Sequence, residues 1–334
     1  MKESRAMKFC VFGAGAIGGV LAAGLARGGA DVSIVARGAH LAAVQRNGLT
    51  VRTGDATYRA TLQASADPAE LGVQDVVLVT VKTPALASVA TSIGPLLGPQ
   101  TAVLFVMNGI PWWYFDRHGG ALDGHRIEAL DPGAAVRNAI GIDRTLGGVI
   151  YTASTVVEPG VVINENPETR LVLGEPDNSV SDRAEAIAAA LRAGGLGGEV
   201  TSDMRSTVWG KLVGNLSTAP LSLLTRQGMR DTLSAAATRA AAVRLAQEAI
   251  NIAADLGCNV KTPAEATVER LSKMVHKPSI LQDMELGRPM ETASLLTVPL
   301  ELARLAGTAT PTMDLIVALA VQAAASAAST RSGA

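Results

Sequence analysis

A chain of 334 residues is too long for one ordinary hydrophobic core and predicts two domains. Its 29 Lys and Arg nearly balance 30 Asp and Glu, and the formal net charge of -1 gives no electrostatic reason to expect nucleic acid or an acidic membrane as a partner. Two cysteines, Cys10 and Cys258, suggest neither a disulfide framework nor a metal site, so a reducing, cytoplasmic setting is the expectation.

Met1 to Met7 is polar and charged, unlike a signal peptide or an anchor, and Met7 is a second candidate start. The first apolar run, Phe9 to Phe12, leads directly into Gly13-Ala-Gly-Ala-Ile-Gly18 and then into a continuous helical pattern. That order is strand, tight turn, helix N-terminus. Gly13 can take the turn, Gly15 lets the backbone approach a pyrophosphate without a Cβ, and Gly18 lets helix and strand pack closely. The helix end adds N–H groups and a positive dipole that suit an anion. Gly13, Ala14, Gly15, Ala16, Ile17 and Gly18 are therefore candidate dinucleotide-binding residues.

The second apolar run, Val32 to Ala36, ends in Arg37-Gly-Ala-His40. An NAD site expects a carboxylate here, about 20 residues on from the turn, to grip the ribose 2′-OH. Arg37 offers instead a planar guanidinium that suits a 2′-phosphate, which favours NADP(H) over NAD(H). Further on, β-branched runs alternate with a helical pattern over Val76 to Val81, Leu86 to Leu97 and Ala102 to Met107. This rhythm predicts a doubly wound, mostly parallel α/β sheet with ligands at the carboxyl ends of its strands, where Lys82 and Asn108 fall.

Four of the ten aromatic residues are consecutive, from Trp112 to Phe115. They read either as an apolar wall over a substrate or as a packing or dimer-contact patch. From Gly147 to Leu173, strand-like pieces separated by Glu158-Pro-Gly160 and by Asn164 to Thr169 predict an antiparallel extension of the sheet. Ser181 to Ala193 then reads as a helix ended by Gly194 and Gly195.

After Ser202 the period is helical nearly to the end, with breaks at Gly228, Gly257, Pro263, Pro278 and Pro311. The expected division is a Rossmann-type domain over residues 7–202 and an all-α domain over residues 203–330. In the second, Lys211 and Asn215 are four apart and share a helix face. An ammonium beside an amide can hold and protonate a carbonyl oxygen, although an exposed Lys beside a helix-packing Asn has the same spacing. Leu315 to Ala328 is apolar but interrupted by Gln322 and Ser326, and reads as a buried or dimer-facing helix short of a membrane span. His40, His118, His125 and His276 lack ligand spacing, so no metal is expected. Arg137, Arg183, Arg226 and Arg230 read as solvated helix charges.

Taken in order, several pieces carry a family resemblance: the N-terminal GxGxxG, Lys82 after a later strand, Asn108-Gly109, Gly147-Gly-Val with Glu158-Pro-Gly160, Lys211 with Asn215, and Pro278-Ser-Ile-Leu-Gln-Asp283 followed by Glu291. Over nearly its whole length the chain resembles the ketopantoate reductases (2-dehydropantoate 2-reductases). The resemblance implies NADPH-dependent reduction of a 2-oxo acid to a 2-hydroxy acid, ketopantoate to pantoate above all, in pantothenate biosynthesis. It implies Lys211 as general acid and Glu291 as the carboxylate that bonds the new hydroxyl and orients the site. Asn215 and Ser279 resemble residues that hold substrate oxygens, Asn108 the one beside nicotinamide and substrate, and Lys82 and Arg37 the cofactor-side cations. The Ala-rich C-terminal helices could support a homodimer.

The chain also departs from the family pattern. An asparagine is usual eight residues after the lysine, where this chain has Ala219, and this with the aromatic run allows a bulkier or more apolar 2-oxo acid. A 3-hydroxyacid dehydrogenase has a similar plan, but its usual glycines fall at Arg205 and Thr207 here. A non-catalytic NADP(H)-binding regulator would have no need to retain Lys211, Asn215, Ser279 and Glu291 together.

Overall fold

The computed structural model describes residues 6–166 and 168–332. The described residues divide into two compact units: one holds those up to Met107 and those from Trp112 to Met204, the other Asn108–Pro111 and those from Arg205 on. A single boundary near residue 203 therefore misses one short segment, Asn108–Pro111, which packs with the helices that follow 97 residues or so later in the chain.

The first unit contains the strands β1 (Lys8–Phe12), β2 (Asp31–Val35), β3 (Leu49–Thr53), β4 (Ala56–Ala60), β5 (Gln63–Ser65), β6 (Gln74–Val79), β7 (Leu97–Val106), β8 (Thr145–Tyr151), β9 (Ser154–Glu158), β10 (Val161–Asn164), β11 (Arg170–Gly174) and β12 (Gly197–Val200). Its helices are α1 (Ala16–Arg27), α2 (Gly38–Asn47), α3 (Leu86–Ser92), α4 (Ala135–Ile140) and α5 (Asp182–Ala193). Eight strands form one sheet in the order β12-β11-β8-β7-β6-β1-β2-β5. All its pairings are parallel except β8 with β11. The central strands are apolar almost throughout, as a sheet covered on both faces requires. Their inward residues, among them Phe9, Val11, Ile34, Leu78 and Leu104, meet Leu21 and Leu25 of α1 in one buried core.

The expected antiparallel extension is half right. β8 and β11 do pair antiparallel within the main sheet, but β9 and β10 leave it. They join β3 and β4 in a separate four-stranded sheet ordered β4-β3-β10-β9. Glycine makes room for that sheet against α1, since a Cβ on Gly19 would stand 2.8 Å from Val162 Cγ2.

Two expectations for the first unit are corrected by burial. The run from Trp112 to Phe115 is buried along its whole length, at 0–2 % exposure, so the packing alternative holds and no ring face remains to wall a substrate. Trp112 stacks edge-on to Phe105 and beneath the Arg137 guanidinium, and the Trp113 ring fills the space left by Gly147. Arg137 and Arg183 are ion-paired and only partly exposed, not freely solvated charges. Arg137 donates to both oxygens of buried Asp116, and Arg183 grips both oxygens of buried Glu175 at 2.6 and 2.7 Å. Each carboxylate is desolvated, and the bidentate fork supplies the partner that makes its burial tolerable.

The second unit is helical: α6 (Met204–Thr225), α7 (Met229–Thr232), α8 (Ala236–Asp255), α9 (Ala264–Leu271), α10 (Ser279–Leu286), α11 (Val298–Ala306) and α12 (Pro311–Ser332), with a π-helical turn over Ala293–Thr297. Trp209, Leu216, Leu245, Ile252, Leu296 and Leu302 form part of its buried core. The carboxylate of Glu248 accepts from Thr312 N and Met313 N at 2.9 and 2.7 Å, capping the start of α12. α12 outruns the stretch read from the sequence, and its length and composition alone would suffice to cross a membrane. Its buried stripe, Met313, Val317, Ala320 and Ala324, has the period of a helix packed along one face.

Candidate active site

The switch point of the main sheet lies at β1, whose two neighbours are β2 on one side and β6 on the other. Open α/β sheets bind ligands outside the carboxyl ends of strands at such a point. There the glycines of the first unit divide the work. Gly13 stands at φ +101°, where an L side chain is strained, and its N–H donates to Val35 O at 3.0 Å. A Cβ on Gly18 would overlap Gly13 O, so this glycine is needed for the close crossing of α1 on the turn. Gly15 is different: it is exposed, and a Cβ there would meet nothing within 4 Å.

Gly15 is also the N-cap of α1, whose first turn carries no acidic residue and no side-chain cap. The N–H groups of that turn have no intrahelical acceptor. An open space facing bare N–H groups and a helix dipole fits a pyrophosphate. The sequence did not single out Thr80, which holds this turn: its hydroxyl donates to Gly13 O at 2.6 Å. A hydroxyl residue one position beyond β6 was the only signal for it.

Arg37 is exposed at the N-cap of α2, two residues beyond the end of β2. His40, three residues on, accepts from Gly160 N at 3.2 Å and ties α2 to the β9–β10 turn; burial lowers its pKa. Lys82 sits beyond β6 as the N-cap of a short 3-10 turn, Thr83–Ala85.

The second unit brings three of the expected residues together. Lys211, on α6, donates from Nζ to Asn108 Oδ1 at 2.7 Å. The same amide donates from Nδ2 to Glu291 Oε2 at 3.4 Å, so Asn108 bridges the cation and the carboxylate. Glu291 is 4 % exposed, immediately before the helical segment that contains the π-turn. Burial pulls the Lys211 ammonium down to about 8, and the negative charge of Glu291 acts against that shift. An ammonium in that range is protonated at neutral pH and yet gives up its proton readily.

Asn215 lies one helical turn beyond Lys211, half-buried on α6. Ser279 opens α10 and is exposed, with no hydrogen bond joining it to Lys211, Asn108 or Glu291. Ala219 is buried on the same helix as Lys211, just before Pro220. Among the described residues no cluster of His, Cys, Asp or Glu could hold a metal ion.

Comparison with known proteins bears on both units. The family model described as ketopantoate reductase PanE/ApbA matches residues 9–178, and its C-terminal counterpart matches residues 203–324. The chain belongs to the ketopantoate reductase family. It is 42 % identical over 315 residues to a 2-dehydropantoate 2-reductase of Mesorhizobium japonicum, covering 94 % of this chain and 96 % of that one. Among solved structures it is similar to a candidate ketopantoate reductase from Ralstonia solanacearum, at TM-score 0.90, 38 % identity and 96 % and 99 % coverage. It is also similar to a 2-dehydropantoate 2-reductase from Geobacter metallireducens, at TM-score 0.82, 28 % identity and 95 % and 100 % coverage. An N-terminal α/β domain with a mostly parallel sheet and a helical C-terminal domain is the ketopantoate reductase architecture. The family is one of nicotinamide-dependent reductases.

Proposed function

We propose that this chain reduces 2-dehydropantoate to pantoate with NADPH, as the name of its Mesorhizobium relative suggests. The observation that carries the proposal is the hydrogen-bonded series Lys211, Asn108, Glu291 in a ketopantoate reductase chain. A functional division into a coenzyme domain over 7–202 and a domain of substrate chemistry over 203–330 goes with it, as do a cytoplasmic setting and a homodimer. The family membership leaves the 3-hydroxyacid dehydrogenase alternative without support.

Bound NADPH supplies the hydride. The residues of the chain do the rest. Gly13 to Gly18 receive the pyrophosphate, Arg37 pairs with the 2′-phosphate, and Lys82 adds a second cation on the coenzyme side. Asn215 and Ser279 hold the oxygens of the 2-oxo acid. As the carbonyl carbon becomes tetrahedral, its oxygen gains negative charge, and Lys211 gives that oxygen a proton from Nζ. Asn108 accepts from Nζ and thereby aims it, while Glu291 holds Asn108 and accepts from the new hydroxyl. The charge of Glu291 keeps the lysine protonated despite its burial.

The test is NADPH oxidation with 2-dehydropantoate against a panel of bulkier 2-oxo acids, with Lys211→Ala alongside. Fast turnover of 2-dehydropantoate that disappears in the variant supports the reading. Turnover of a bulkier acid alone overturns the substrate and keeps the reaction. Tight NADPH binding with no turnover of any acid overturns both.

A further inference from the structure

Asn108 can bridge Lys211 and Glu291 only if its backbone is held in place, and what holds it is an irregular turn of helix. Between Ala293 and Thr297 the helix widens into a π-turn, with Val298 N–H reaching back to Ala293 O. The next residue, Pro299, has no N–H to give. The carbonyl between them, Ser294 O, turns to another segment of the chain and accepts from Ile110 N at 2.9 Å. One residue before Ile110, Gly109 stands at φ +79°, and a Cβ on it would overlap the same Ser294 O. Asn108 comes directly before Gly109, and Glu291 lies two residues before the π-turn. One contact between Ser294 O and the Gly109–Ile110 backbone thus sets both the bridging amide and the carboxylate that it serves. π-turns are uncommon, and many mark functional sites.

We propose that Gly109 and Pro299 are positioning residues for proton transfer: Pro299 leaves Ser294 O to Ile110, and Gly109 lets that carbonyl come close enough to fix Asn108 between Lys211 and Glu291. The proposal rests on the reading of Lys211 as the proton donor.

Two variants act on the contact from opposite sides. Pro299→Ala supplies an N–H that competes with Ile110 for Ser294 O or lets the turn tighten to α-helix. Gly109→Ala places a methyl group against that carbonyl. Pro299→Ala should keep or raise the thermal midpoint and bind NADPH as the parent does. Its kcat should fall at least about fivefold, and the alkaline limb of its kcat profile should move to lower pH by about half a unit to one unit, because the ammonium loses an acceptor. Gly109→Ala should act in the same direction and more strongly.

In an Asn108→Ala background neither change should have a further effect on kcat or on the limb, since both act through that amide. Should Gly109→Ala not fold, Pro299→Ala decides alone. A Pro299→Ala enzyme with the parent's kcat and alkaline limb overturns the proposal, and so do effects that persist undiminished without Asn108. Undiminished turnover in Lys211→Ala would overturn the proton donor itself, an outcome separable from the other two.

Discussion

Lys211 is placed where its charge is costly, since burial disfavours the ammonium and the carboxylate of Glu291 opposes that shift. Desolvation brings its pKa to about 8, so its protonated fraction, and with it kcat for reduction, should decline as pH rises through that value. Steady-state rates from pH 6 to 10 check the sign, since a group acting as base would give the opposite limb. Lys211→Ala should lower kcat by about 10²- to 10⁴-fold. Arg37→Ala should weaken NADPH binding by about 10-fold or more, the loss of a charged hydrogen bond, and leave NADH unchanged. Cys10, buried in β1, has its thiol pushed up to about 12 by desolvation, so it should resist thiol reagents until the protein unfolds, as a timed thiol assay in urea would read. The common helix of Lys211 and Asn215 was legible in the sequence, and residues four apart on a helix share a face. The hydrogen bonds of Asn108 were not legible, because they span 103 and 183 residues and no local period encodes such distances.

The first βα element was legible for the opposite reason: strand, Gly13 turn and helix are contiguous, and each glycine has a local steric cause. Gly18→Ala should lower both stability and NADPH affinity, because the added methyl falls on Gly13 O; thermal melting and coenzyme titration would measure the two losses. The strands after Tyr151 were legible as strands but not by partner. β10 pairs with β3 on one side and with β9 on the other, a choice made by a sheet assembled from distant segments. The aromatic run was ambiguous because scarcity and apolarity do not reveal which side of a ring is wet. Trp113 turns out to fill the space beside Gly147. Trp113→Ala should cost about 3 to 5 kcal/mol in urea unfolding, the usual loss for a fully buried aromatic.

At the scale of the molecule, length and the change of period after Ser202 pointed to one boundary near residue 203, and neither signal reaches the four residues Asn108–Pro111. Asn108–Pro111 follows β7 directly in the chain and yet belongs to the helical unit. A fragment starting at Arg205 would hold Lys211 and Glu291 without their bridging amide. Its amides from Glu291 to Val298 should exchange with solvent faster than in the intact protein, as hydrogen-exchange mass spectrometry would show. The same interleaving limits how such proteins can be recombined. A chimaera joined once, near residue 204, takes Asn108 and Gly109 from one parent and Ser294 and Pro299 from the other, so its two halves arrive mismatched at the proposed proton donor. Functional hybrids should therefore need two junctions more, one on each side of a tetrapeptide, to let a single ancestor supply both sides of that contact.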